Sequence, residues 1–456
     1  MKKKLIYLLK YIKTFILIII IFNIGLYLAC SFNSKLIKKN VIQSQKMLEK
    51  EGMFYNVSDL FNIRSDNSAD ALMINECYSV DSDEPYVSYM KTRKNYRKNA
   101  ELYQYQETVG ELSTYVEEFN DESEMYYNTI SELGNFLEGK IHSYINYGRY
   151  WHGYLVLLRP LLLAFNIMQL RHILFFIFCI LFTYLIYLLY KEFGLNIAII
   201  FGLSLICSGY FSASYILEVA PVFLIMMISS ILLIKNINKI KDFYLFIFII
   251  GSITNYFDYL TVPLITLGFP CAIYILKLLK EEKDWKYCIK FLIKSSLVWV
   301  ISYAATWILK WVQYDLTIND GNSMLKIGFG QAMFRMQRVN EALGIDISYI
   351  SVIANIIGKS LIYTILTVLI IMILNKFKPL IKKNNKKYIP FLIISLYPII
   401  WFVALANHTI MHNYFTYRNS LLFMLGVLLA INELLFNQNK DSKEELNKKE
   451  IMYKEK

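Results

Sequence analysis

Asp66 and Asp70 stand four residues apart in the string Arg64-Ser-Asp66-Asn-Ser-Ala-Asp70. On a helix that spacing puts both carboxylates on one face. One can then take a proton as general base while the other holds a cation or orients a hydroxyl. The same pattern fits a solvated helix start with Asp66 as N-cap. A second group runs Tyr147-Gly-Arg149-Tyr150-Trp151-His152-Gly153-Tyr154 and continues to Arg159-Pro160. Aromatics beside arginine are ordinary in a membrane-interface belt, but a belt requires neither His152 nor an arginine inside an apolar run. Arginine forks fit phosphate oxygens, and rings such as Trp151 offer faces to a sugar. A third group, Asn407-His408-Thr-Ile-Met-His412-Asn413-Tyr414-Phe-Thr-Tyr417-Arg418, sets two histidines at i, i+4. That is a metal-ligand spacing, yet no third ligand and no HExxH glutamate accompany it, so no metal is assigned. Hydrogen bonds from His408, His412 and Tyr414 to a phosphate or sugar, with Arg418 as counter-charge, are the favoured reading.

Two further acids interrupt or border apolar runs, Glu218 in YILEVAP and Asp258 in NYFDYLTVP. Each precedes a proline and fits a helix cap. A polar group at membrane depth costs several kcal/mol unless it pairs or meets water, so the set is also read as the lining of one shared cavity. The string Gly328-Phe-Gly330-Gln-Ala-Met-Phe-Arg335-Met-Gln-Arg338 fits a lipid phosphate or an amphipathic surface helix equally well. There is no GxGxxG, no Walker loop and no GxSxG, so nucleotide binding and serine hydrolysis have no support. Six scattered cysteines without CxxC spacing imply neither a disulfide framework nor a zinc site.

The elements that must position these groups are membrane helices. The 456-residue chain is 56% hydrophobic and only 18% charged, with a mean hydropathy of +0.38. Aliphatic runs recur along almost its whole length, which excludes a soluble enzyme, a disordered chain and a single-anchor receptor. A basic head precedes the first run, which ends near Cys30 with no clear cleavage site and reads as a retained helix rather than a signal peptide. Further runs lie near 171–190, 195–210, 216–234, 242–256, 260–277, 291–312, 350–374, 389–406 and 420–436. The fold class expected is therefore an all-α polytopic membrane protein of about ten transmembrane helices.

Lysines 2–4, 235, 239, 241, 277, 280, 283, 286, 376, 378, 382, 383, 386 and 387 then fall on one side, which the positive-inside rule makes cytoplasmic. The organisation expected is a first transmembrane helix over 1–31 and a long extracytoplasmic loop with amphipathic helices over 32–150. A re-entrant or interfacial segment follows over 151–170, then a multi-helix domain over 171–436 and a Lys-rich cytoplasmic tail over 437–456. All five histidines (142, 152, 172, 408 and 412), with Glu218, Asp258, Arg159 and Arg418, fall on or near the outer side. The loop 32–150 holds 19 acidic and 13 basic residues, which leaves a net −6 there and +18 elsewhere within the total of +12. The positive charge thus belongs to the membrane part and reports orientation, and a nucleic-acid partner loses its support.

A positive-inside first helix, a long acidic first outer loop and many later spans resemble the GT-C superfamily of membrane glycosyltransferases. The strings DNSADALMIN, RYWHGYLVLLRPLL, NYFDYLTVPLITLG and NHTIMHNYFTYR look like those of GT-C-like membrane proteins of low-GC Gram-positive bacteria. The even helix count and the lysine pattern put both termini in the cytoplasm, and the resemblance implies a bacterial plasma-membrane enzyme. It implies transfer of a sugar from a polyprenyl-phosphate donor to a glycan or lipid acceptor of the cell envelope on the outer face. The catalytic carboxylate it implies lies in the first outer loop, which matches Asp70 or Asp66. Arg149, Trp151, His152, Arg159, Glu218, Asp258, His408, His412, Tyr414 and Arg418 are then the residues expected to meet the sugar and the lipid phosphate. Assistance from Mg²⁺ or Mn²⁺ is left open. A transporter or flippase of lipid-linked glycans, or a non-catalytic assembly partner, would use similar residues, although no internal repeat favours a transporter.

Overall fold

In a computed structural model of the chain, residues 2–58, 63–95, 129–141, 144–337, 348–376 and 386–435 are described. His142, Arg338, lysines 378, 382 and 383, the stretch 98–128 and the tail 437–456 lie outside the described residues. The long helix α1 (Lys2–Cys30) leads into α2 (Lys38–Glu51), a ladder of β1 (Asn56–Ser58) and β2 (Ile63–Arg64), α3 (Asn67–Tyr78), α4 (Pro85–Lys91) and β3 (Arg93–Asn95). Next come α5 (Thr129–Leu137), β4 (Tyr144–Asn146), α6 (Leu155–Leu162), α7 (Ile167–Phe193), α8 (Leu195–Cys207), α9 (Ala220–Lys235), α10 (Phe243–Phe257) and α11 (Ile265–Lys280). The chain continues through α12 (Trp285–Thr317), α13 (Met324–Met336), α14 (Tyr349–Leu374), α15 (Ile389–Ala404), α16 (Ala406–Met411), α17 (Asn413–Thr416) and α18 (Leu421–Leu435).

Each apolar run of the sequence contains a helix. Among the described residues, five helical stretches are long and apolar enough to cross a membrane: Leu5–Cys30, Ile167–Phe193, Trp285–Thr317, Tyr349–Leu374 and Asn413–Leu435. They mark the chain as a membrane protein. The helices α8, α9, α10 and α15 are apolar but have 10–17 residues, at most about 25 Å at 1.5 Å per residue, against a hydrocarbon core of about 30 Å. The Asn413–Leu435 stretch is 78% buried over its most apolar window, whereas Leu5–Cys30 and Ile167–Phe193 are 17% buried. The last helix is thus an interior post, and the first two present most of their surface outward.

Two apolar cores divide the chain. The larger joins α7 to α12 with α15 and α18, through residues such as Phe201, Phe223, Phe269, Leu292 and Leu425. The smaller joins α1 to α2, α3, α4 and α6, and borrows Trp311 and Tyr314 from α12. The described part of 32–150 therefore packs into one core with α1 and α12. Val41, Ser44, Gln45 and Leu48 give α2 the buried stripe expected of an amphipathic helix. By contrast, α3 buries residues on most of its circumference, including Asp70, Asn75 and Glu76. Two small antiparallel ladders, β1–β2 and β3–β4, also stand where only helices were expected; strands of two or three residues leave no alternation to read. The 151–170 segment forms α6, eight residues and about 12 Å long, too short to span alone. Asn166 then caps α7 with a reciprocal capping box to Gln169, so this helix begins four residues before 171.

One end of the bundle gathers the lysines. Lys10 pairs with Asp242 at 2.9 Å, Lys277 Nζ donates to the Ile237 carbonyl at 2.6 Å and Lys280 pairs with Glu192 at 2.8 Å. Asp258, at the end of α10, and Arg171, at the start of α7, lie at the other ends of two of these helices.

Candidate functional site

The centre of that opposite end is the N-terminus of α3. Asp66 caps it, its Oδ1 accepting the Ala69 N–H at 3.0 Å. Its side chain is buried. Burial pushes its pKa up to about 6, the nearby Asp70 charge adds to the rise, and the Ala69 and Ser68 N–H groups and Arg418 oppose it. Asp70, one turn later, is committed on both oxygens. Its Oδ2 accepts from Arg171 Nη2 at 2.8 Å and its Oδ1 accepts the Leu217 N–H at 2.8 Å. Arg171, at the start of α7, also donates to Glu51 Oε2 at 2.8 Å and Asn67 Oδ1 at 2.6 Å. One guanidinium thus joins α2, α3 and α7.

Leu217 is followed by Glu218, just ahead of α9. Glu218 is buried, and its Oε1 has no hydrogen-bond partner. The charges that act on it are those of Asp66, Asp70, Arg418 and Asp258, so the structure brings these acids and Arg418 together. Arg418, in the 3-10 turn Tyr417–Ser420, is fully buried. Its Nη1 reaches the Tyr414 carbonyl at 3.3 Å and its Nη2 reaches Ser212 Oγ at 3.4 Å. Its Nε has no partner, and no carboxylate among the described residues forms a direct ion pair with it. A buried cation is thereby held near two buried acids without being closed onto either.

Asp258 belongs to this neighbourhood but its oxygens are spent. Oδ1 accepts from the N–H and O–H of Thr261 at 2.8 and 2.7 Å, and Oδ2 accepts from Tyr303 at 2.9 Å. It acts as the cap of the turn leading to α11. His408 donates from Nε2 to the Leu260 carbonyl at 2.9 Å, because a carbonyl can only accept. Burial, then His412 and Arg335, holds its pKa well below the usual histidine value. It is therefore neutral, with a buried, unpartnered Nδ1, an acceptor rather than a phosphate counter-charge. His412 stacks on Phe415 at 5.1 Å, and the half-exposed Tyr414 meets Phe54 edge-on at 5.8 Å. Among the described residues no three His, Cys, Asp or Glu side chains converge as a site built from protein ligands alone would need.

The Tyr147–Tyr154 string builds a second polar centre at the far end of α3. Glu76 Oε2 accepts from Tyr154 and, at 3.3 Å, from Tyr259, and lies 3.2 Å from His152 Nδ1. His152 Nε2 donates to the Tyr147 carbonyl at 2.7 Å, which leaves Nδ1 to share with Tyr259 at 2.8 Å. His152 holds a positive φ of 54°, a conformation non-glycine residues adopt only when their surroundings over-determine it. Gly153, with no side chain, lies against Tyr256 and donates its N–H to that residue's carbonyl at 2.9 Å.

Three expected substrate contacts have other duties. Arg159 donates to the carbonyls of Ala29 at 2.8 Å, Phe32 at 2.7 Å and Cys77, and to Ser34 Oγ at 3.2 Å. It is fully buried and staples the end of α1 to the end of α3, with no fork left for a phosphate. Trp151 donates its indole N–H to the Thr306 carbonyl at 2.8 Å and is buried against Phe22, so no ring face is open to a sugar. Arg149 lies over the rings of Tyr147 and Tyr150, at 4.4 and 5.5 Å, and its carbonyl receives two indole N–H groups, from Trp307 and Trp311.

Residue-type reasoning passed over Arg171 and Lys310, and gave Glu76 no role. The isolated arginine at the head of an apolar run was the available signal for Arg171. Lys310 is buried within α12, donating to the Tyr89 carbonyl at 2.9 Å; a single lysine between aromatic residues was its only trace. No family model matches the chain, and neither a curated protein nor a solved structure is found similar to it.

Proposed function

We propose that the protein is a membrane glycosyltransferase that moves a sugar from a polyprenyl-phosphate donor to a glycan or lipid acceptor of the bacterial cell envelope, at the end of the bundle that carries Asp66, Glu218 and Arg418. The observation that carries the reading is the pair of buried polar atoms left without partners among acids of one cluster, Glu218 Oε1 and Arg418 Nε. Buried polar groups are normally satisfied, and groups left open in one cluster are what a bound polar substrate would satisfy.

Asp66 takes the proton of the acceptor hydroxyl. Its pKa near 6 keeps it ionised at neutral pH and close enough to the operating pH to be an effective base. Asp70 is less suited, because both of its oxygens already accept hydrogen bonds. The acceptor oxygen bonds to the anomeric carbon as the bond from that carbon to the phosphate oxygen breaks, and the configuration inverts. The lipid phosphate leaves with the electron pair, and Arg418 stabilises its charge from a site that excludes water. Glu218 accepts from a sugar hydroxyl. No nucleotide is released, so no phosphate-binding loop is needed.

Full-length protein in lipid nanodiscs, given a radiolabelled polyprenyl-phosphate sugar and envelope extract, tests the reading. Asp66→Asn should cut transfer by about 100-fold or more, in the range of general-base removal. Glu218→Gln should raise KM for the sugar. If both variants keep the wild-type rate at normal expression, the catalytic reading is wrong.

A further inference from the structure

Asp70 accepts from Arg171 with one oxygen and from the main chain of Leu217 with the other, at 2.8 Å each. Leu217 directly precedes Glu218, and Asp66 lies one turn before Asp70 on the same helix. Arg171 is itself held in place by Glu51 and Asn67, at 2.8 and 2.6 Å, and Asn67 donates to Glu51 and to the Gly52 carbonyl at 3.0 and 2.7 Å. The planar fork serves three acceptors on two helices, which a lysine ammonium cannot reproduce.

We infer that Arg171 and Asp70 are positioning residues. Arg171 fixes Asp70, and Asp70 fixes both acids of the site at once, Asp66 through the first turn of α3 and Glu218 through the Leu217 N–H. The inference rests on the glycosyl-transfer reading above and assigns the pair a part in it. Neither group touches the reacting atoms. The pair sets the gap between the base and the sugar-binding acid, and a displacement of about 1 Å at such a gap is worth about 100-fold in rate. The charged groups facing Asp66 are Asp70 on its own helix, Glu218 ahead of α9 and Arg418 from the last 3-10 turn, with Arg171 and Glu51 behind Asp70. Loss of the Asp70 charge therefore also changes the proton affinity of Asp66, and the sign is fixed: one negative neighbour fewer makes the carboxylate easier to ionise.

The test uses the full chain in nanodiscs and two independent readouts. The first is hydrogen–deuterium exchange at the Leu217 and Glu218 amides and across 65–70. Asp70→Ala should speed exchange at both places, and so should the double variant Asp70→Leu with Arg171→Met, whose apolar replacement of the ion pair keeps the fold. Unchanged protection at Leu217 in both variants overturns the inference whatever the transferase assay gives. The second readout is transfer. The double variant should lose about 100-fold in kcat and raise KM for the sugar as Glu218→Gln does, Arg171→Lys should recover part of the rate lost in Arg171→Met, and Asp70→Asn should move the acid limb of the pH–rate profile downward. A double variant that is folded and transfers at the wild-type rate also overturns it. If the wild type transfers no sugar while Leu217 loses protection as described, the positional link stands and the reaction reading falls.

Discussion

At the scale of single residues, the same side-chain types serve different partners in different parts of the fold. Asp66, Glu218 and Arg418 come together, whereas Arg159, Trp151 and Asp258 serve main-chain groups and neighbouring side chains. Residue type could not separate these uses, because an arginine fork suits three carbonyls as well as one phosphate. The difference is made by the end of α1, which brings the Ala29 and Phe32 carbonyls to Arg159. Arg159→Met should therefore destabilise the protein by about 3 kcal/mol or more, since several buried acceptors lose a charged donor; a thermal melt in nanodiscs measures this. Asp66 supplies a prediction with a defined sign. Its carboxyl moves from 3.8 in the unfolded chain to about 6 in the fold, so the folded state binds the proton more tightly. Stability should rise as the pH falls through 6, by about 3 kcal/mol on reaching 3.8, and stay flat in this respect above 6. Asp66→Asn should flatten that difference when melts are compared across the window. In the same window the transfer rate should fall about tenfold per pH unit below 6, because the base is lost.

At the scale of elements, the helices were legible and the joints between them were not. Long aliphatic runs in a membrane satisfy their backbone groups within the segment by forming helices, so each run produced one. The Asn166 cap of α7 displaced an expected boundary, because a side-chain cap can start a helix ahead of its apolar run. The segment 147–154 is wedged between helices, with Gly153 against Tyr256 and Gly148 against the Met90 carbonyl and Tyr314. A methyl at Gly153 has no room beside the Tyr256 carbonyl, so Gly153→Ala should shift the wedge and lower thermal stability, while Gly139→Ala, where nothing lies within 4 Å, meets no such clash. The turn at Gly139 has φ +73, so its alanine variant still carries a backbone cost, of about 1 kcal/mol. A larger loss at 153 than at 139 in melting temperature is the expected result.

At the scale of the whole molecule, charge separates along the bundle. Lys10, Lys277 and Lys280 meet Asp242, the Ile237 carbonyl and Glu192 at one end, and Asp66, Glu218 and Arg418 occupy the other. In a bacterial membrane the lysine end should face the cytoplasm. A cysteine introduced at Lys239 should react with an impermeant maleimide only after the cells are opened, and one at Tyr414 should react in intact cells. The reverse pattern would put the acidic cluster inside and remove the outer-face assignment.

The smaller core has a consequence for how the chain is made. Its walls come from α1, which is synthesised well before α12, and from Trp311 and Tyr314 of α12 itself. Until then α1 has no complete partner, and the outer segment carrying Asp66 has no floor. The region around α1 and α3 therefore cannot close until α12 has emerged, by contacts far apart in sequence, which are the slow ones to form. A nascent chain stalled before α12 should leave its outer segment open to protease while the α7–α11 helices are already inserted.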